Sequence, residues 1–539
     1  MLIAEGSLPS GAVIDTDVCI VGAGAAGITL ALELDAKPLR IALLEAGNRT
    51  YSRRSQRIYA GSSSGLALPP LTVTRLRCFG GSTNRWAGLC RPLDPLDFER
   101  RDWLPHSGWP ISEADLRPYY ARAAARIGLP DAEFDAAPWA EREGCAPLPL
   151  DPQRFRSGVT QVLPTRFGER HGDTLARSGN VACHLDASVV DIVVGAHDDV
   201  VREAVAMTAS GRRLRVRARL FVLACGGVEN ARLLLNADRV RPAGLGNGHG
   251  NVGRYFMEHR VSWPGLIELH GPNDALWFYT RHVLPGGNRI EGSLRLAPAL
   301  ARRERLLNTH FSLEPLSKAH SGGGRSLGVL KEGVRQVLRG GDMVTDLGYH
   351  FRAIVRDLDC LAENRLRKLL RIDRDFTRWM VKAEVEQAPI PESRVTLTDE
   401  RDSLGLRRVD LHWRTSAIDR HSVRRALVLL DEEMQRLSIG RVRVVMSENG
   451  DAWSRFDHWG NHHCGTTRMS AQPRDGVVDA QGRVHELANL YVAGNSVFPT
   501  EGTAPPTFTT VALAIRLAEH LDRAARTAPA PEAVSTRTP

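Results

Sequence analysis

Runs of apolar residues separated by glycine turns predict strand-turn-helix units in this chain. Residues 17–47 (DVCIVGAGAAGITLALELDAKPLRIALLEAG) contain a strand-like apolar run, a glycine turn, a stretch with helix-like spacing and a second apolar run that ends at Glu45. Residues 220–235 (LFVLACGGVENARLLL) show the same order of strand, glycine turn and helix. Because Gly226 and Gly227 do not fit dinucleotide-binding spacing, we expect this strand to return and complete the first sheet.

The first glycine turn has the spacing of a dinucleotide site. Gly22 allows the tight turn, Gly24 lets the backbone approach a pyrophosphate, and Gly27 permits close packing of helix on strand. The pyrophosphate would lie at the helix N-terminus, where free N–H groups and the helix dipole favour negative charge. Glu45 is placed to accept hydrogen bonds from a ribose. The sequence has no second GxGxxG with flanking strands, so a reductase with two dinucleotide units is not favoured.

Composition narrows the class of protein. With 539 residues, of which 42% are apolar, the chain is long enough for more than one core, and two domains are expected. The sequence has no apolar run long enough to span a membrane and no N-terminal signal-peptide pattern. Eight scattered cysteines without a CxxC pair indicate reduced thiols rather than a disulfide framework or a zinc ribbon. We therefore expect a soluble, cytoplasmic protein.

The formal charge of +9 does not by itself indicate nucleic-acid binding, because it comes from arginines dispersed through the chain. The densest basic runs are residues 327–341 and 363–375, and both have helix-like apolar spacing beneath the basic residues. Solvated helix faces are the favoured explanation. Attachment to a membrane or to a protein partner is the less favoured alternative, and no nucleic-acid partner is expected.

Three histidines surround a small turn in residues 458–470 (HWGNHHCGTTRMS). A metal site is the weaker explanation, because adjacent side chains usually point apart and no carboxylate or cysteine spacing completes a ligand set. Histidine suits proton abstraction, since its neutral form is abundant near pH 7. A purely structural role, with hydrogen-bonded side chains, is the third explanation.

Several stretches together resemble one family. Besides the N-terminal unit and residues 220–235, they are CFGGSTNRWAG (78–88), GNVGRYFMEH (250–259), EQAPIPESRVTLTDERDSLGL (386–406), HHCGTTRM (462–469) and NLYVAGNSVFPTEGTAPPTFTTVALAIRLAEHL (489–521). In order and spacing, these blocks resemble the glucose-methanol-choline (GMC) oxidoreductases, which bind FAD and oxidise alcohols. The GTxRM motif and SGWPISEADLRPYY (107–120) are most similar to the branch that contains pyranose oxidases and bacterial sugar dehydrogenases.

The resemblance implies an α/β fold with a Rossmann-like FAD-binding domain and an α+β substrate domain that contains a mostly antiparallel sheet. It also implies that both domains are assembled from discontinuous segments. The expected segments are 10–110, 180–260 and 455–525 for the FAD-binding domain, 111–179 and 261–454 for the substrate domain and its lid, and 526–539 for a disordered tail.

The resemblance also implies roles around the histidine cluster. In the family's H-x-x-G-T pattern the catalytic base lies three residues before the glycine, which is His462 in this chain, so that His458 and His463 are structural. A second histidine or asparagine normally contacts the same substrate oxygen. That position falls on Pro505, which has no side-chain donor or acceptor.

Either one histidine suffices or another group supplies the second contact. The candidates are Glu501 and Thr503 in the same loop as Pro505, Asn461 beside the base, and an ordered water. A carboxylate at Glu501 would also suit a cationic substrate such as an amino sugar.

The cofactor implied by the resemblance is FAD, held without a covalent bond. Some family members tether FAD through a histidine, and the matching position in this chain is Arg85. The Thr507 N–H would face the pyrimidine edge of the flavin, where it stabilises the charge formed on reduction. No metal is expected. The remaining implied contacts are Gly80, Gly81, Ser82 and Asn84 beside the flavin ring, Val189 on the adenine side and Asn495 at the pyrophosphate.

The implied activity is oxidation of a hydroxyl of a sugar or sugar-like alcohol to the carbonyl. His462 takes the proton as hydride passes to flavin N5, and oxygen or another acceptor reoxidises the FAD. An amino sugar in specialised-metabolite (antibiotic) biosynthesis is one such substrate. Because the family also contains lyases and photodecarboxylases, and because Pro505 departs from its pattern, the alternatives are an FAD-dependent lyase or photodecarboxylase of the same fold and a non-catalytic flavin-binding scaffold.

Overall fold

The structure of the chain is a computed structural model. It describes residues 1–4, 7, 9–195, 199–271, 273–283, 287, 289–315, 322–338, 342–359, 361–362, 365–366, 377–446, 453 and 457–529. Within these residues the strands form three sheets, and the two larger sheets both contribute to one large cavity.

Strands and helices are mixed along the whole chain. The strands are β1 (Leu2–Ile3), β2 (Ala12–Val21), β3 (Ile41–Leu44), β4 (Ser62–Gly65), β5 (Leu89–Cys90), β6 (Phe155–Val162), β7 (Val181–His184), β8 (Ser188–Val194), β9 (Val201–Met207), β10 (Arg213–Leu223), β11 (Arg260–Leu269), β12 (Arg281–Val283), β13 (Arg289–Leu296), β14 (Thr309–Pro315), β15 (Arg378–Val385), β16 (Arg394–Arg401), β17 (Arg407–Trp413), β18 (Gly440–Val444), β19 (His458–Trp459) and β20 (Leu490–Val492). The α-helices with described bounds are α1 (Ala25–Asp35), α2 (Arg53–Gln56), α3 (Leu71–Thr74), α4 (Pro95–Phe98), α5 (Glu113–Ile127), α6 (Ala136–Glu143), α7 (Phe167–Arg177), α8 (Gly226–Asn236), α9 (Pro298–Glu304), α10 (Gly322–Leu338), α11 (Leu347–Arg356), α12 (Ala417–Arg436) and α13 (Pro506–Thr527).

The first sheet has the strand order β1-β7-β3-β2-β10-β9-β8, and β20 also pairs with β10. Strand β2 pairs in parallel with β3 on one side and with β10 on the other. The strand of the second glycine unit therefore completes the sheet begun by the first, as predicted. The central strands are continuous apolar runs with residues such as Val18, Ile20 and Leu43 fully buried, which is typical of a parallel sheet covered on both faces.

The second sheet has the order β18-β11-β15-β14-β13-β6-β5, with β12 beside β13 and β19 beside β11. Its pairs are antiparallel, so the prediction of a mostly antiparallel sheet beside a Rossmann-like sheet is confirmed. A small third sheet joins β16, β17 and β4. Strands β11 and β19 lie next to each other, which brings residues 250–259 close to the histidine cluster.

Local sequence signals set the ends of several helices. Ser112 and Asp115 form a reciprocal capping box that begins α5, and Gly128, with φ 95°, ends it. In contrast, α1 and α13 have no side-chain cap, because Gly24 and Pro505 precede them. The first N–H groups of these two helices therefore stay available for a ligand.

Helices α5 and α7 differ from the expected division of the chain. Leu116 and Ile127 of α5 and Phe167 of α7 are buried in the core beneath the first sheet, and α5 packs against α13. Of the segment 111–179, α6 and β6 contribute to the core of the second sheet. The expectation that the whole segment belongs to the substrate domain is therefore wrong for α5 and α7. The apolar face of a helix can pack in either core, and the spacing of its apolar residues does not show in which core it lies.

The structure describes only parts of the predicted basic runs and of the expected tail. The basic run at 327–341 begins on α10, where Val334 and Leu338 are exposed together with the basic residues. The run at 363–375 lies largely outside the described residues, as do residues 530–539 of the expected tail, whereas α13 continues to Thr527. None of the helices in the described ranges combines the length and the apolar character needed to cross a bilayer.

Buried histidines make the fold less stable at low pH. Burial lowers the pKa of His310 and of His463 to about 3. Both are therefore neutral in the folded state, whereas in the unfolded chain they bind protons below about pH 6.5. The free energy of unfolding therefore decreases as the pH falls below that value, because the unfolded state then binds more protons than the folded state.

When the pH is lowered from about 7.5 to about 5.5, the free energy of unfolding of wild type is expected to decrease. The decrease should be about 1 kcal/mol larger than that of His310→Gln, which lacks the buried imidazole. Thermal unfolding at the two pH values, followed by circular dichroism, measures this difference. His249→Gln is the control, because His249 is exposed. An identical pH dependence in wild type and His310→Gln would contradict the prediction.

Candidate active site

A cavity of about 1770 Å³ lies between the first and second sheets. One end is lined by the turn after β2, by Glu45 and by Val189, and the other end by β11, β14, β15 and the histidine cluster. Helices α10 and α11 form a further wall. The volume exceeds that of a typical small-molecule pocket, so the cavity has space for a dinucleotide together with a substrate.

The glycine turn has the geometry that its spacing predicts. Gly22 has φ 102°, and a Cβ there would lie 2.7 Å from the carbonyl oxygen of Ala224. A Cβ on Gly27 would overlap the carbonyl oxygen of Gly22, so glycine is needed for helix and turn to pack this closely. A Cβ on Gly24 would meet no protein atom within 4 Å, and Gly24 lines the cavity. The open space at the N-terminus of α1 therefore fits a pyrophosphate.

Glu45 lies at the cavity wall where a ribose contact is predicted. Its Oε2 accepts a hydrogen bond from the Ala23 N–H and its Oε1 from the Gly47 N–H, both at 2.8 Å. Burial raises the pKa of Glu45, and the two backbone hydrogen bonds oppose this increase. Each carboxylate oxygen keeps further acceptor capacity, so the same group can accept a hydrogen bond from a sugar hydroxyl.

Residues 81–85 form the wall expected beside the flavin ring. Asn84 Nδ2 donates to the carbonyl oxygen of Phe79 at 2.9 Å, which fixes the side chain. Gly80 is not among the cavity-lining residues of the described chain, and with φ 92° it forms the turn that precedes them. Within this stretch, the residues that line the cavity are Gly81, Ser82, Thr83, Asn84 and Arg85.

The N-terminus of α13 opens into the cavity. Pro505 and Thr507 both line it, as do Asn495 and Val189. Because Pro506 has no N–H, the Thr507 N–H is the first of the helix, and the uncapped terminus favours negative charge. These features together fit FAD: two uncapped helix N-termini, an acid at the ribose position, and a wall of small and polar residues.

His462 lines the cavity and is partly buried. Its ring folds back over Gly460, where a Cβ would lie 2.5 Å from His462 Nδ1. The His462 N–H donates to both carboxylate oxygens of Glu258, at 3.0 and 3.1 Å. Burial raises the pKa of Glu258 to about 8. Asn461 adopts φ 58°, a left-handed conformation that asparagine tolerates better than most residues, and this turn directs His462 into the cavity.

A second histidine, His259, supports the ring of His462. The Nδ1 atoms of the two rings are 2.8 Å apart, and the ring planes meet at 89°. His259 Nε2 lies 2.8 Å from the carbonyl oxygen of Gly502. His259 is 1% exposed, and burial lowers its pKa, so the ring is neutral near pH 7.

His458 and His463 also line the cavity. The ring of His458 meets that of Trp263 edge to face at 5.3 Å. The ring of His463 lies 5.5 Å from that of Phe256, and its Nε2 is 3.5 Å from a carboxylate oxygen of Glu258. These packing contacts fit a structural role. Among the described residues, no group of three or more His, Cys, Asp or Glu side chains is arranged to hold a metal ion.

Two of the residues suggested for the second substrate contact face away from the cavity. Glu501 is fully buried, and its Oε1 accepts a hydrogen bond from the Gln387 N–H at 3.1 Å. Thr503 is also fully buried and accepts a hydrogen bond from Arg91 at 2.7 Å. Direct substrate contact by Glu501 or Thr503 is therefore wrong, because the loop turns both side chains inward. Asn461 lines the cavity.

The second sheet presents polar side chains to the cavity. Trp263 Nε1 donates to Glu314 at 2.9 Å, and Lys382 Nζ lies 2.8 Å from Glu384. Burial alone would raise the pKa of Glu384, but the Lys382 ammonium lowers it to about 2. These four residues and Arg281 line the cavity. The wall opposite the glycine turn is therefore suited to bind hydroxyl groups.

Sequence reasoning did not single out Glu258 and His259, which end the block GNVGRYFMEH. The available signal is an acid-histidine pair directly before the buried strand β11. Their partner His462 is more than 200 residues away along the chain, and the pairing of β11 with β19, together with the bridge between Met257 and Cys464, brings them together.

Two family models match the chain. The model described as FAD dependent oxidoreductase matches residues 17–299, and the model described as GMC oxidoreductase matches residues 389–514. The first match covers the glycine turn and strands β3, β7, β8, β9 and β10 of the first sheet, and the second covers the histidine cluster and the start of α13.

Known relatives align with nearly the whole chain at low identity. Fructose dehydrogenase large subunit from Gluconobacter japonicus is 22% identical, over 94% of this chain and 97% of that protein. Paromamine 6'-oxidase from Streptomyces fradiae is 25% identical, over 93% and 90%. The crystal structure of pyridoxine 4-oxidase from Mesorbium loti has the same fold, with a TM-score of 0.52, 18% identity and coverage of 94% and 98%. The chain therefore belongs to the FAD-dependent oxidoreductases, and over residues 389–514 it matches the GMC oxidoreductases.

Proposed function

We propose that this protein oxidises a hydroxyl group of a sugar or sugar-like alcohol to the carbonyl. The observation that carries the proposal is the placement of His462, a histidine held at the cavity wall through its backbone by Glu258 and through its ring by His259. The names of two relatives, fructose dehydrogenase and paromamine 6'-oxidase, support a sugar-like substrate.

In this proposal His462 is the general base. The neutral imidazole takes the hydroxyl proton of the substrate, because an alkoxide gives up hydride far more readily than an alcohol does. FAD, when bound, supplies the hydride acceptor. The residues that would hold it include Gly24, Glu45 and Thr507, and the uncapped N-terminus of α13 favours negative charge at its end of the cavity.

The polar wall of the second sheet would bind the other hydroxyls of the substrate. Glu314 and Glu384 offer acceptors, and Arg281 and Lys382 offer donors. A neutral polyol is the favoured substrate, because both carboxylates already have partners: Trp263 donates to Glu314, and Lys382 pairs with Glu384. An amino sugar is the second candidate, since its ammonium group would pair with either carboxylate. The carboxylate that would bind an amino sugar is therefore Glu314 or Glu384 and not Glu501.

Asn461 supplies the second contact to the substrate oxygen in this proposal. Pro505 lines the cavity but offers no donor or acceptor, whereas the side-chain amide of Asn461 offers both and follows directly before the base.

The test is anaerobic reduction of the bound flavin in the purified holoenzyme. Neutral sugars, amino sugars and simple alcohols are added, and the visible absorbance of oxidised flavin is followed. Bleaching by a neutral sugar is expected, and admission of air then separates an oxidase from a dehydrogenase. Bleaching by amino sugars alone favours the second candidate. Persistent absorbance with consumption of a compound indicates a lyase, and persistent absorbance without any turnover indicates a scaffold.

A further inference from the structure

The proposed function requires His462 to offer a lone pair to the substrate. A neutral imidazole carries its proton on either Nδ1 or Nε2, and only one of these tautomers leaves Nε2 free to accept. The Nδ1 atom of His462 is turned toward buried His259, so we assign the substrate contact to Nε2.

We propose that His259 is a positioning residue that holds His462 in the tautomer with Nε2 unprotonated, an inference that rests on the proposed function. The carbonyl oxygen of Gly502 can only accept a hydrogen bond. His259 Nε2, 2.8 Å away, therefore carries the proton. The Nδ1 atom of a neutral His259 is then an acceptor, and His462 Nδ1, 2.8 Å away, must donate to it.

The surroundings of His259 keep it neutral. Besides His462, the charged or titratable groups of the described chain that act on it include Glu384 and Glu386 at the end of β15, Glu501 on the loop, and Arg91. Burial raises the pKa of Glu501 well above its usual range, which favours the neutral form of this carboxyl, 3.8 Å from His259 Nε2. Burial of His259 and the charge of Arg91 both disfavour protonation of the imidazole.

The same contact strengthens when His462 takes the substrate proton at Nε2. The cation that forms keeps its Nδ1–H directed at His259, and a hydrogen bond from a charged donor is stronger than one from a neutral donor. His259 therefore stabilises the protonated base without touching the substrate.

The test compares His259→Leu and His259→Gln with wild type. We expect His259→Leu to lower the limiting rate of anaerobic flavin reduction by about 100-fold, with a smaller change in KM. The acid limb of its pH profile moves to lower pH, because protonated His462 loses its acceptor. His259→Gln recovers much of the rate, since its amide can accept from His462 and donate to Gly502. Equal FAD content and equal reduction by dithionite show that the cofactor site is intact.

A double-mutant cycle separates positioning from a merely structural role. In the His462→Ala background, His259→Leu is expected to cause no further loss of rate. Two results would overturn this inference while leaving the proposed function intact. One is a further loss of rate as large as that in the single variant, and the other is a His259→Leu variant with the rate and pH profile of wild type. If wild-type flavin is bleached by no alcohol, the proposed function fails and the inference fails with it.

Discussion

The His462→Ala variant is expected to bind FAD normally but to reduce it with substrate about 10³-fold more slowly than wild type. His462 is the member of the cluster whose backbone contacts Glu258 and whose ring contacts His259, and truncating its side chain removes the proposed base from that point of the wall. The loop itself should keep its shape, because the contact with Glu258 is made by the backbone N–H. Stopped-flow measurement of anaerobic flavin reduction gives the rate.

His463→Ala is the matched comparison, since the two histidines are adjacent. His463 is 3% exposed and packs on Phe256, so its loss is expected to lower the melting temperature and to slow flavin reduction by less than about 10-fold. If His463→Ala shows the larger loss of rate while retaining FAD, the base is His463 and the assignment of His462 is wrong.

The cofactor end of the cavity could be predicted from the sequence because each role there depends on a local property. A positive φ at Gly22 and the absence of a Cβ at Gly24 and Gly27 are consequences of residue type at fixed spacing. The parallel pairing of β10 with β2 followed from the same logic, since a second strand-turn-helix unit has to add its strand to an existing sheet.

The substrate end could not be predicted in the same way, because its contacts join distant parts of the chain. The loop 501–505 has no repeating pattern of apolar residues that would predict which side chains point inward. In the structure, Glu501 turns toward His259, whereas Pro505 faces the cavity. The partnership of His259 with His462 depends on the pairing of β11 with β19. The resemblance indicated His462 as the candidate base but gave no information on what orients its ring.

The Gly24→Val variant is expected to fold as an apoprotein and to lose at least about 100-fold in FAD affinity. Gly24 has φ −84°, which valine adopts without strain, and a Cβ there would meet no protein atom within 4 Å. The cost to the apoprotein is limited to the poorer helix cap, about 1 kcal/mol. The added side chain would instead fill the space at the N-terminus of α1 that we assign to the pyrophosphate.

Two further glycine variants make this expectation specific. Gly179→Val places the same side chain at an exposed position with no atom within 4 Å, so both FAD binding and stability should match wild type. Gly27→Ala should fail to fold, because its Cβ would overlap the carbonyl oxygen of Gly22. Thermal unfolding of the apoproteins and fluorescence titration with FAD measure the two properties separately. Normal FAD binding by Gly24→Val would place the pyrophosphate elsewhere, and failure of that variant to fold would show that Gly24 serves the fold rather than the cofactor.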